Sequence, residues 1–115
     1  MTIKFTTHND KHISIGGTHL IGHISTSYQK LVEVFGDPLK GSYKTDAEWY
    51  ISFIDGMVAT IYNWKNGKNY CGEEGYEIEE IENWHIGGLK PQVETRIKFL
   101  LGKLPLGDGR WIDVK

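Results

Sequence analysis

The clearest hydrophobic pattern in the chain runs through residues 46–64, DAEWYISFIDGMVATIYNW. Two runs rich in β-branched and aromatic residues, 49–54 and 57–64, flank the pair Asp55-Gly56. This predicts a β-hairpin with a two-residue type I′ turn, because both central positions of that turn need φ > 0 and Asp-Gly tolerates it. A two-residue turn also sets the register. Phe53 is expected opposite Val58, Ile51 opposite Thr60 and Trp49 opposite Tyr62 on one face. Ile54 opposite Met57, Ser52 opposite Ala59 and Tyr50 opposite Ile61 make up the other. Neither face is cleanly polar, so this register predicts a ribbon covered on both sides. The domain's own core is one cover; a helix, a second subunit or a ligand is expected to be the other.

Elsewhere the period changes to that of a helix. Tyr28, Leu31, Val32 and Phe35 recur at i, i+3, i+4, i+7. Thr26 with Gln29 three residues on reads as a capping box, and Gly36 followed by Pro38 as a stop, giving a helix over about 27–35. Val93, Ile97, Leu100 and Leu101 mark a second helix over about 91–101, opened by Pro91 and closed by Gly102. Further strands are expected at 3–5, at 13–15 and 18–24 joined by Gly16-Gly17, and at 83–86 closed by Gly87-Gly88. Lys65-Asn66-Gly67-Lys68 reads as a turn with φ > 0 at Asn-Gly, followed by brief pairing at 69–71.

Residues 73–82 hold glutamates at 73, 74, 77, 79, 80 and 82 and read as a solvated sheet edge, Ile78 and Ile81 allowing a short helical turn. The tail carries Leu104, Leu106, Trp111, Ile112 and Val114 and is expected to dock on the domain or on a neighbouring subunit. The sum is an α+β fold: an antiparallel sheet built on the central hairpin, with two helices on one face.

Composition narrows the function classes. At 115 residues the chain makes one domain. A formal net charge of −2 argues against general nucleic-acid binding. The single cysteine, Cys71, fits a reducing compartment. No apolar run approaches the ~20 residues that span a bilayer. The first eight residues lack the apolar core of a signal peptide and read as a first strand. The expectation is a cytoplasmic protein without membrane contact.

The candidate chemistry is sparse. His8 and His12 are four apart, as are His19 and His23. On strands that spacing separates two rings by roughly 13 Å, too far to share an ion, so no metal site is expected. Cys71 lies beside glutamates that disfavour its thiolate, and nothing in sequence orients His85 as a base, so no catalytic residue and no cofactor are assigned. Gly87-Gly88-Leu89-Lys90 leads into a helix N-terminus where a phosphate could rest, but a turn that needs glycine explains it as well. Surplus aromatic residues are the better clue. Trp49, Tyr62, Trp64 and Trp84 are expected to stack on a base, and Lys90, Arg96 and Arg110 to meet phosphate.

Three strings carry a resemblance: YKTDAEW at 43–49, DGMVATIYNWKNG at 55–67 and WHIGG at 84–88. Together they resemble a family of small proteins encoded by bacteriophages, over roughly residues 18–101. The resemblance implies an anti-defence role in the host cytoplasm and assigns no residues. One form of that role is a non-enzymatic, oligomeric sponge for a nucleotide-type immune signal, a cyclic dinucleotide or an ADP-ribose derivative. The alternative is an inhibitor that binds a host defence enzyme directly, as an anti-CRISPR does.

Overall fold

Strict alternation in strand β4 (Ala47–Phe53) organises the molecule. Ala47, Trp49, Ile51 and Phe53 are buried, while Glu48, Tyr50 and Ser52 point to the other side and remain partly open. A computed structural model describes residues 3–114, and Met1, Thr2 and Lys115 lie outside the described residues; the first strand, expected at 3–5, forms at Phe5–Thr7 instead. The described residues form an α+β fold with a six-stranded antiparallel sheet, three α-helices and a small two-stranded ribbon.

β4 pairs with β5 (Val58–Tyr62), β5 with β6 (Asn83–Gly88), and β6 with β2 (His19–Ser25). Along the far edge of β4 lie β1 (Phe5–Thr7) and the two-residue β3 (Leu39–Lys40). Helices α1 (Tyr28–Phe35) and α3 (Gln92–Leu100) cover one face. Leu31 and Phe35 from α1, with Val93 and Ile97 from α3, close a core over Trp49, Ile51, Ala59, Ile61, Trp84 and Ile86. Both helices follow their apolar periods. The α1 cap is Ser27 rather than Thr26: the Ser27 hydroxyl accepts from Lys30 N–H at 3.0 Å. Thr26 instead completes a strand end, its N–H bonded to the Glu82 carbonyl at 2.9 Å.

The central hairpin forms, but one residue out of the expected register. Trp49 faces Ile61, Tyr50 faces Thr60, Ile51 faces Ala59 and Ser52 faces Val58. The loop has three residues, Ile54, Asp55 and Gly56. Phe53 N–H bonds the Met57 carbonyl at 2.8 Å, and Gly56 N–H bonds the Phe53 carbonyl at 2.9 Å. Gly56 takes the left-handed position with φ 90°, the arrangement of a type I turn with a glycine bulge. Asp55 stays out of the left-handed region, where its carboxylate accepts from Met57 N–H at 3.2 Å and pairs with Arg96 at 2.7 Å.

This slip moves every β5 side chain to the opposite face. Ala59 and Ile61 join the core, while Thr60 and Tyr62 share the opposite face with Glu48 and Tyr50, Thr60 buried there and the other three half-buried. The ribbon is therefore apolar on one face and mixed polar–aromatic on the other. The case for a second subunit covering an apolar outer face loses its basis with that sorting.

Other expectations shift for local reasons. The turn at Gly16-Gly17 closes, with Thr18 N–H on the Ile15 carbonyl at 3.1 Å, but 13–15 is not a strand; Ile13 turns inward and is buried. Residues 69–71 do not pair. They belong to a helical turn, α2 (Lys68–Cys71), because Asn69 spends its hydrogen bonds on the 42–46 loop. The acidic stretch forms two short 3₁₀ turns, Gly72–Glu74 and Ile78–Glu80, with its glutamates exposed and Ile81 buried beneath them. Gly87 and Gly88 continue β6 rather than ending it. The tail makes the ribbon β7 (Lys103–Pro105) and β8 (Trp111–Asp113), which rests on α3 through an edge contact of Trp111 with Phe99.

Candidate functional site

On the sheet face that carries no helix lies a hollow of about 230 Å³. Thr60 and Gly87 face it from β5 and β6, and Tyr50 and Tyr62 stand beside them. Trp64 follows β5, and Glu48 reaches in from β4. Ser42 and Thr45 belong to the loop before β4, and Ile15, Thr18 and His19 to the turn before β2. Gly87 is glycine for a steric reason: a Cβ there would sit 2.4 Å from Thr60 Oγ1 and 3.5 Å from Tyr62 Cε1.

Glu48 is held from both ends. Thr45 Oγ1 donates to Glu48 Oε2 at 2.6 Å, and the Tyr50 hydroxyl donates to Glu48 Oε1 at 3.2 Å. Burial first, then the Glu48 charge, raises the pKa of both Tyr50 and Tyr62. Both phenols are therefore hydrogen-bond donors at neutral pH.

The aromatic wall is continuous. Tyr62 and Trp64 rings lie 6.1 Å apart, and His85 packs on Tyr62 at 5.3 Å and stacks near Trp64 at 6.4 Å. His23, directly across from His85 in the sheet, meets it edge-on at 4.6 Å. Burial first, then His23, lowers the pKa of His85. Two cations attend the exposed Trp64: Lys44 Nζ at 5.3 Å and Lys65 Nζ at 5.7 Å from its ring. Lys65 adopts φ 58°, the one non-glycine at positive φ among the described residues. The left-handed position expected at Asn66-Gly67 thus falls on Lys65, whose ammonium also lies 5.3 Å over Tyr70.

A buried amide ties these parts together. Asn63 Oδ1 accepts from the backbone N–H groups of Asp46 at 2.7 Å and Ala47 at 3.2 Å. Its Nδ2 donates to Asp46 Oδ1 at 2.8 Å and Asn66 Oδ1 at 3.0 Å. Asn69 Nδ2 then bonds the Ser42 and Thr45 carbonyls at 2.9 and 2.8 Å. The loops bearing Thr45, Lys44 and Lys65 are fixed to the sheet by this network.

The seven residues singled out from sequence separate sharply. Tyr62 and Trp64 border the hollow. Trp49 and Trp84 do not: both are fully buried, 5.5 Å apart, in the core under α1. Their indole N–H groups are satisfied by the Gly36 carbonyl at 2.8 Å and the Thr26 carbonyl at 3.0 Å. Neither presents a ring face to a ligand.

The three cations also lie elsewhere. Arg96 is engaged bidentately with Asp55 at 2.9 and 2.7 Å, holding that carboxyl down at about 2. Arg110 pairs with Asp108 at 2.7 Å in the tail ribbon. Lys90 borders a separate groove with Met57 and Leu89. Glu48, Tyr50, Thr45, Lys44 and Lys65 were missed from sequence, although the polar phase of the β4 alternation marks the first two.

Among the described residues no three His, Cys, Asp or Glu side chains gather as metal ligands, and no helix is long and apolar enough to cross a membrane. No protein-family model and no curated protein sequence matches the chain.

Proposed function

We propose that this is a non-enzymatic binding protein that sequesters a nucleotide-type ligand in the hollow on the helix-free face. The observation that carries the reading is the meeting of aromatic rings, hydroxyl donors and a fixed carboxylate in one concave site, with two lysines at its Trp64 rim. Aromatic faces hold bases by stacking, about 1–3 kcal/mol each, and nearby cations meet the phosphates.

Size sets the mode of binding. Sites that swallow whole drug-sized ligands occupy roughly 300–1,000 Å³. At about 230 Å³ the hollow takes one base and leaves sugar and phosphate outside, toward Lys44 and Lys65. The resemblance to phage proteins makes a host immune nucleotide the physiological class to try. Calorimetry against mononucleotides, cyclic dinucleotides and ADP-ribose derivatives tests the reading. Binding with the ligand recovered intact supports a sponge; absence of binding across the panel overturns it, and a cleaved ligand overturns the non-enzymatic part.

A second reading, inhibition of a host enzyme by direct contact, draws on the exposed glutamates 77, 79 and 80. A stoichiometric partner from host lysate, lost when the three are reversed to lysine, would favour it.

A further inference from the structure

We propose, resting on the reading above, that Glu48 makes the hollow selective for guanine among the bases. Among the described residues that line the hollow, Glu48 is the one carboxylate and none is a lysine or arginine; Lys44 and Lys65 stand outside it, over the Trp64 ring. The orientation of the carboxylate is fixed at both oxygens by Thr45 and Tyr50. An ionised carboxylate accepts at about four lone-pair positions, so each oxygen keeps capacity for one more donor. What enters must therefore bring donors of its own, and two adjacent ones fit best.

The Watson–Crick edges of the bases differ in just this respect. Guanine offers N1–H and N2–H side by side, matching the two oxygens of Glu48 in a bidentate pair. Adenine and cytosine offer an amino donor beside a ring-nitrogen acceptor, and that lone pair would confront the carboxylate. Uracil offers one N–H between two carbonyl oxygens, which repel it on both sides. Tyr62 and Trp64 stand edge-to-face at 75°, so one of them offers its ring face and the other its edge to whichever base is present, and affinity in general and selectivity in particular belong to different residues. The Tyr50 phenol, kept protonated by burial and by Glu48, holds the carboxylate and competes with no ligand donor.

The test is titration calorimetry with GMP, IMP, AMP, CMP and UMP on the wild-type protein and on Glu48→Gln. A good bidentate pair discriminates by about 10- to 100-fold. GMP should bind that much more tightly than AMP, and IMP, which lacks the N2 amino group, should lose most of the advantage. Glu48→Gln, with one acceptor and one donor, should weaken GMP by a similar factor and leave AMP unchanged or improved. A melting curve confirms that the variant is folded, and the GMP–IMP comparison needs no variant at all.

AMP binding equal to GMP, or GMP affinity unaffected in folded Glu48→Gln, overturns the guanine assignment while leaving nucleotide binding in place. Failure of every nucleotide to bind overturns both. Free arginine also carries paired N–H donors; if it binds more tightly than GMP, the site is one for guanidinium groups and the assignment falls.

Discussion

The two faces of the β4–β5 ribbon are built from the same two strands and share almost nothing else. One face, Trp49, Ile51, Ala59 and Ile61, is sealed under α1 and α3. The other, Glu48, Tyr50, Thr60 and Tyr62, borders a hollow, and Glu48 there accepts from Tyr50 beside it and from Thr45 of the adjoining loop. Close packing leaves the first face little room to change, since each side chain there contributes to stability through many contacts. The second face is expected to contribute less to stability, since Glu48, Tyr50 and Tyr62 there are only half-buried.

The sharpest way to break that contrast is to truncate one aromatic on each face. Trp84→Ala should cost about 3–5 kcal/mol in urea unfolding, and it leaves the Thr26 carbonyl without its indole partner. Tyr62→Ala should cost about 1 kcal/mol of stability while weakening ligand binding by about 10- to 100-fold. Equal losses from the two would mean that the faces are not energetically distinct. Next in size is Asn63→Ala, expected to cost about 2–3 kcal/mol because buried backbone N–H groups lose their acceptor. Because Asn63 ties the rim loops to the sheet, its loss should weaken binding as well as stability, so it is the residue where the two faces are coupled.

Gly87→Ala probes the hollow from below. Crowding against Thr60 should cost about 1–3 kcal/mol, and Thr60→Ala in the same chain should recover much of it, since the nearest atom to the new methyl is Thr60 Oγ1. Additive losses in that double-mutant cycle would show that the glycine acts through something else. The smallest effect concerns pH. The folded state lowers the pKa of His85, so the unfolded chain binds its proton more readily. Stability should fall as pH drops below the unfolded imidazole value of about 6.5 and be fully present above it. His85→Gln should flatten that slope in denaturation curves between neutral and mildly acid pH, and His23→Gln should flatten it in part.

Much of the fold was legible from the chain. The stripes Leu31–Phe35 and Val93–Ile97 gave both long helices because burial on a helix is periodic and local. The hairpin was legible as well, but its register was not. Asp55-Gly56 satisfies a two-residue and a three-residue loop about equally in sequence, and the Arg96 contact that accompanies the observed loop comes from 41 positions away. That one-residue ambiguity produced the doubly apolar ribbon, and with it the assignment of Trp49 and Tyr62 to a common face. Treating tyrosine as simply apolar hid the alternation of Glu48, Tyr50 and Ser52. Which tryptophans are buried depends on where α1 lands, which no local pattern reports. The hollow itself joins segments from residues 15 to 87, so only Tyr62 and Trp64 were reachable from the sequence.

Lys65 holds a torsion that glycine would adopt freely and a lysine adopts at a cost of about 1–2 kcal/mol. Its two aromatic contacts offset about that much. Replacing it with glycine should therefore leave the melting temperature nearly unmoved while the ligand dissociates faster. A survey for thermal tolerance would score the position as dispensable, and a binding assay is the measurement that would tell the two residues apart.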